Sequence, residues 1–293
     1  MNLLLSVLEQ GLIYAVLALG VYITFKILDF PDMSVDSSFP LGAAVTALMI
    51  QAGVSPLLTL PASMIAGALA GALTGVIHVK LKVRDLLAGI IVMTGLYSVN
   101  LHIAGRANVQ LFSCNTIFKN PFISSLPFSV QLYAPVIILA IIAIVVKLLM
   151  DAYLATRSGF LLRATGDNAT LVATLAKDAG KVKILGLAIA NALVALSGCL
   201  MCQYQRYFDI SMGTGTLVLA VASVIVGTQL LRGFRFLGAT TAVVLGSILY
   251  KGCVALALSM GLSPFDLKLV TAALLLIIII AGGQSRRKVK RHA

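Results

Sequence analysis

Two polar stretches interrupt an otherwise apolar chain, and they hold most of the residues able to do chemistry. The first, "DFPDMSVDSSFPLG" (29–42), sets Asp29, Asp32 and Asp36 among Ser34, Ser37 and Ser38, between Pro31 and Pro40. Three carboxylates suggest a hard cation, but spacings of three and four with no further ligand make a poor oxygen cage, so no metal is expected. The two prolines free backbone groups, which at membrane depth is tolerable only in a segment packed in protein or lining a wet cavity. Two readings stay open: a solute pathway through Asp32, Ser34, Asp36 and Ser37, or an interfacial loop whose aspartates cap the next helix. The second stretch, "TRSGFLLRATGDNATLVATLAKDAGKVK" (156–183), offers Arg157, Arg163, Asp167 and Asn168 as contacts for something outside the chain.

No catalytic constellation accompanies these residues. His78, His102 and His292 are isolated, and the sequence lacks a Gly-x-Ser-x-Gly elbow, a His-Glu-x-x-His pair and a Gly-x-x-x-x-Gly-Lys phosphate loop. The chain is therefore expected to be no enzyme and to bind no cofactor, and ATP-derived energy would have to come from another chain. Cys199 and Cys202 form a Cys-x-x-Cys, but in an apolar helical run without a second pair or a histidine they read as small interface residues.

The elements that must position these residues are membrane helices. The chain has 293 residues, 60% hydrophobic and only 11% charged, with a mean hydropathy of +1.04. Unbroken runs such as "APVIILAIIAIVV" exclude a transmembrane barrel, which alternates apolar and polar residues. The fold class is an all-α integral membrane protein. Spans are expected near 8–28, 40–53, 57–79, 86–104, 131–150, 184–205, 216–231, 237–260 and 267–282, about nine transmembrane or half-membrane helices. The second and seventh are short enough to be half-helices. The opening segment has no Lys or Arg before Lys26, so it reads as a retained span.

A net charge of +12 raises the possibility of nucleic acid, which the location of the charges excludes. Sixteen of the 22 Lys and Arg fall in four segments: 80–84, 147–183, 232–235 and the tail 286–291. That asymmetry marks the cytoplasmic side, with some attraction to anionic lipid, and puts the C-terminus inside and, for nine crossings, the N-terminus outside. It also places the "NAT" sequon at 168–170 in the cytoplasm. Lys251, mid-span in "FLGATTAVVLGSILYKGCVALALSM", must face protein or water, pair with a group such as an Asp, or lie at an interface.

The two halves of the chain match. "FPDMSVDSS" (30–38) aligns with "YFDISMGTG" (207–215), pairing Asp32 with Asp209 and Ser34 with Ser211 and bringing Thr214 into the candidate pathway. Each element of the second half follows its counterpart by five spans, so the copies would be inverted across the bilayer: 1–104 and 184–282, joined by a span at 131–150 and a cytoplasmic loop at 151–183, with a basic tail at 283–293. Gly67, Gly71 and Gly75 strip one helix face for close packing. Within the loop, Thr156 or Ser158 can cap a short helix ending at Gly166. Asp167 or Asn168 can then cap a second, amphipathic helix ending at Gly180. Such a knob either contacts a partner or lies on the membrane surface.

The stretch from Thr156 to Leu200 resembles the cytoplasmic loop and following span of permease subunits from ABC importers of the branched-chain amino acid and ribose type. Thr156, Gly159, Arg163, Ala164, Gly166 and Asn168 match that family's T-x-x-G-x-x-x-R-A-x-G-x-N pattern. "MGTGTLVLAVASVIVG" also looks like the family's second-half signature, and "ILDFPDMSVDSSFPLGAAV" like the subgroup associated with aromatic amino-acid or uncharacterised substrates. "LAKDAG" departs from the family's usual Gly-containing apolar turn. The resemblance implies a coupling helix, with Arg157, Gly159, Arg163, Ala164, Gly166, Asp167 and Asn168 seated in an ABC ATPase subunit. It also implies a second permease copy, a solute-binding protein outside, and multi-pass residence in the bacterial cytoplasmic membrane among its lipids. The main rival is a secondary transporter in which Asp32, Asp209 and Lys251 couple to protons or sodium.

Overall fold

The computed structural model describes residues 3–125, 127–167, 178–230 and 238–259, together with 269, 271–273 and 276. Helix α1 spans Leu3–Val21 and widens without a break into π-helical turns over Tyr22–Ile27. It is followed by α2 (Val35–Gln51), α3 (Thr59–Lys80) and α4 (Asp85–Ala104). After strand β1 (Asn108–Gln110) come α5 (Pro121–Ser124), α6 (Phe128–Leu154) and α7 (Arg157–Asp167). Helix α8 (Ala179–Gln205), strand β2 (Tyr207–Asp209), a 3-10 turn (Ile210–Gly213), α9 (Thr216–Leu230) and α10 (Ala239–Ser259) complete the described elements.

Among the described residues, seven helices are long and apolar enough to cross a bilayer, and their backbones satisfy their own hydrogen bonds as hydrocarbon requires. The expected span at 267–282 lies almost wholly outside the described residues. Helix α2, at 17 residues, is about 25 Å long and falls short of a full crossing, and α9, at 15 residues, reaches spanning length only together with the 3-10 turn ahead of it.

Helix α8 is the central stave, buried along nearly all of its length from Gly186 to Gln203. Helices α3 and α1 run antiparallel to it. On α3, a Cβ added to Gly67 or Gly71 would collide with the carbonyl oxygens of Asn191 and Leu187, and one on Gly75 with Ile184 Cα. The stripped face seen in the sequence therefore packs on α8 backbone to backbone. On α1, the Ser197 hydroxyl donates to Ile13 O at 2.8 Å, and the Tyr204 hydroxyl to Glu9 Oε2 at 2.7 Å. Helix α10 is antiparallel to both α1 and α9: its Ser247 hydroxyl donates to Gly11 O at 2.9 Å, and Gly246 packs on the Ser223 carbonyl of α9.

Two expectations need correction. The span read as 40–53 begins at Val35, with Pro40 inside α2 rather than ahead of it. The bond that it removes would have used the Asp36 carbonyl, and that oxygen instead lies against Gly213, where a Cβ would collide. Gly180 ends no helix. Asp178 accepts from Gly180 N at 3.0 Å and Lys181 N at 3.2 Å, capping α8 and placing Gly180 in its first turn. The amphipathic helix expected before it falls mainly on 168–177, outside the described residues.

Candidate functional site

The first polar stretch turns back from the end of α1 and starts α2 against the middle of α8. Asp32 is completely buried. Its Oδ1 accepts from Ser34 N at 2.9 Å and from the Ser34 hydroxyl at 2.6 Å, and its Oδ2 accepts from Asn191 Nδ2 at 2.8 Å. Asn191 was not singled out from the sequence, being one amide in an apolar run. No ion pair among the described residues involves Asp32, so amide and hydroxyl donors alone meet its carboxylate.

The partner motif has the same local geometry. Asp209 Oδ1 accepts from Ser211 N at 2.8 Å and from the Ser211 hydroxyl, and its Oδ2 accepts from Asn108 Nδ2 at 3.1 Å. The surroundings differ: Ser211 and Thr214 are exposed, and Asp209 is half-buried at the β1–β2 end of the bundle. There the Ser211 hydroxyl holds the Asp209 carboxyl below the usual carboxylate range.

Asp36 joins the two halves. From the first turn of α2 its Oδ1 accepts from Leu217 N at 2.8 Å and the Thr216 hydroxyl at 3.1 Å, while Oδ2 accepts from Gly215 N at 3.1 Å. A carboxylate from one half-length helix thus caps the other, where the helix dipole favours negative charge. The N-termini of α2 and α9 meet at this point. Ser37 instead turns toward α4, donating to Met93 O at 2.7 Å while its carbonyl accepts from Asn100 Nδ2 at 3.0 Å. Lys251 lies apart from all of them. Its Nζ reaches Gln10 Oε1 at 3.4 Å and sits 4.0 Å from the Tyr14 ring centroid, where the sequence reading allowed an Asp. No hydrogen bond or ion pair among the described residues joins Asp32, Asp209 and Lys251. The set that the rival reading requires is not assembled.

The second site is α7. Thr156 Oγ1 accepts from Gly159 N at 3.3 Å, starting the helix as the sequence suggested. Gly159, Leu162 and Thr165 face inward, Ala164 is half-buried, and Arg157, Phe160, Arg163 and Asp167 face out, with Phe160 61% exposed. Gly166 is pressed against the Ile27 carbonyl at the end of the π-helical turns, and Leu162 against Gly186 of α8. Gly159 and Gly166 therefore belong to the seat of α7, with Arg163 at its exposed edge, one turn from each glycine, and Arg157 further round the helix. Asn168 lies outside the described residues.

The family described as "Branched-chain amino acid transport system / permease component" matches residues 3–280. The chain belongs to that family. The permease is 42% identical over 93% of its length to the tyrosine transport system permease protein of Clostridioides difficile, covering 88% of that protein. It is 27% identical over 79% of its length to the ribose import permease protein RbsC of Escherichia coli, covering 71% of it. In fold it is similar to PsaBC from Streptococcus pneumoniae in complex with Fab, with a TM-score of 0.51 at 13% identity, over 94% of this chain and 89% of that one. It is a multi-pass permease subunit of an ABC importer, and membership implies ATPase and binding-protein partners.

Proposed function

We propose that this permease imports an aromatic amino acid handed to it by an extracytoplasmic binding protein, working as a homodimer on two ATPase subunits in a bacterial cytoplasmic membrane. The substrate class is supported by the identity to a permease named for tyrosine and by spans that are mostly apolar with Ser, Thr and Asn. The chain itself performs no chemistry and holds no cofactor or metal. Its part is to move helices.

The observation that carries this reading is the seating of α7. A lever needs a gripped face and a rigid foot. Helix α7 has an outward face of Arg157, Phe160, Arg163 and Asp167, and a glycine foot locked onto Ile27 O. From Ile27 the chain runs within a few residues to Asp32, bonded to α8, and to Asp36, which holds α9. Force applied to α7 by a closing ATPase would reach the junction of α2 and α9 along that path, and alternating access would follow from parting the two half-helices. The inverted pairing of 1–104 with 184–282 is supported by the shared Asp-x-Ser geometry.

Uptake by proteoliposomes holding the permease, its ATPase and binding protein tests the reading. Arg163→Glu should insert normally yet lose at least ~tenfold in uptake while ATP hydrolysis continues, because the charge turned toward the partner is reversed. Unchanged uptake would remove α7 from coupling.

A further inference from the structure

At the α7 end of the bundle, the turn between α3 and α4 and the first turn of α8 border a shallow, open cavity of about 450 Å³, walled by Val79 and Val83 and lined by His78, Lys82, Arg84 and Lys183. Lys82 and Arg84 from the α3–α4 turn and Lys183 from α8 converge on one space, with the His78 ring of α3 in its wall. His78 Nδ1 lies 2.9 Å from the Val83 carbonyl, which can only accept, so Nδ1 carries the proton and fixes the ring in the wall. Phe30 meets the same ring edge to face, with centroids 5.1 Å apart. No ion pair among the described residues engages Lys82, Arg84 or Lys183.

Two carboxylates stand at the rim, and both are occupied locally. Asp178 accepts the first-turn amides of α8 and pairs with Lys181 at 3.6 Å, and Asp85 accepts Leu86 N at 2.9 Å. The cavity is left with an excess of positive charge.

Around it the surface is apolar. Leu81 is 69% exposed, Leu87 51%, Leu86 44% and Leu185 44%. Leu86, Leu87 and Leu185 belong to spans α4 and α8 and so face acyl chains, which sets the cations at headgroup depth beside them, whereas a soluble anion would use the cations alone. A phospholipid uses both, with its phosphate among the cations and its acyl chains along the leucines. We infer that this cavity is a specific site for the headgroup of an anionic phospholipid, which ties the α3–α4 turn to the start of α8. The site stands independently of the transported solute.

The test is thermal stabilisation of the purified permease by added phosphatidylglycerol, by phosphatidylcholine and by inorganic phosphate. Phosphatidylglycerol should stabilise the wild type well beyond phosphatidylcholine, and inorganic phosphate should do little. In Lys82→Gln/Arg84→Gln/Lys183→Gln the half-saturating phosphatidylglycerol concentration should rise on the order of a hundredfold. Lys82→Arg/Lys183→Arg should keep the wild-type response, as should Arg286→Gln/Arg287→Gln in the basic tail. If the triple variant does not fold, Arg84→Gln alone should raise the half-saturating concentration roughly fivefold. Equal stabilisation by inorganic phosphate would make the cavity a soluble-anion site and overturn the lipid assignment. A triple variant, or a single one in its place, that answers phosphatidylglycerol like the wild type would overturn the site itself.

Discussion

Replacing Asp36 with alanine should loosen the contact between the two half-helices by a calculable amount. Of its three bonds, the one from the Thr216 hydroxyl is replaceable, because that hydroxyl already reaches Gly213 O at 2.9 Å. Gly215 is exposed, so water can take over its amide. What is lost is the bond from the partly buried Leu217 amide at 2.8 Å and the negative charge at the start of α9. An N-cap of this kind is worth about 1 kcal/mol and the dipole about 0.5 kcal/mol. For a chain of this size that lowers Tm by roughly 2–3 °C. Asp36→Asn keeps an acceptor oxygen and loses only the charge, so it should fall by about a third as much. Scanning fluorimetry of the purified permease in detergent measures both. An Asp36→Ala protein melting within a degree of wild type, or an Asn variant weaker than the Ala variant, would refute the cap.

Asn191→Leu should cost about 2 kcal/mol by stranding the buried Asp32 Oδ2, and Asp32→Ala/Asn191→Leu should be more stable than the sum of the single changes by at least about 1 kcal/mol; additive melting shifts would deny the coupling. Lys251→Met removes a partly buried ammonium whose partners among the described residues are Gln10 and Tyr14, so the melting temperature should hold or rise with uptake intact, whereas abolished uptake would give Lys251 a role in transport. Asp209 is depressed in the folded state, so its contribution is present above the unfolded value of about 4 and lost as pH falls further. The stability gap between wild type and Asp209→Ala should be open at neutral pH and close below about pH 4, and a gap independent of pH would count against the Ser211 interaction.

The spans were legible because a bilayer demands unbroken apolar runs, and α3, α4, α6, α8 and α10 lie where those runs do. The Asp-x-Ser match was legible because the motif is local, with both bonds closed inside three residues. The capping of α9 by Asp36 spans 179 to 181 positions, and nothing in "VDSS" or "GTGT" announces it. Asn191 was hidden for the same reason. Gly166 was read as a helix end because glycine commonly serves there, but its reason is the Ile27 carbonyl, a neighbour 139 residues away in sequence. Pro40 misled in the opposite direction: its local meaning is interruption, and only the approach of Gly213 shows why the chain tolerates it.

The glycine contacts between α3 and α8 have a mechanical consequence. Main chain rests directly on main chain at Gly67 and Gly71, so sliding or twisting one helix against the other drives Cα atoms into carbonyl oxygens at once. There is no layer of side chains to flex as a bearing. The pair has to travel as a solid block through any working stroke, and the play in the machine is confined to joints held by a few replaceable polar bonds.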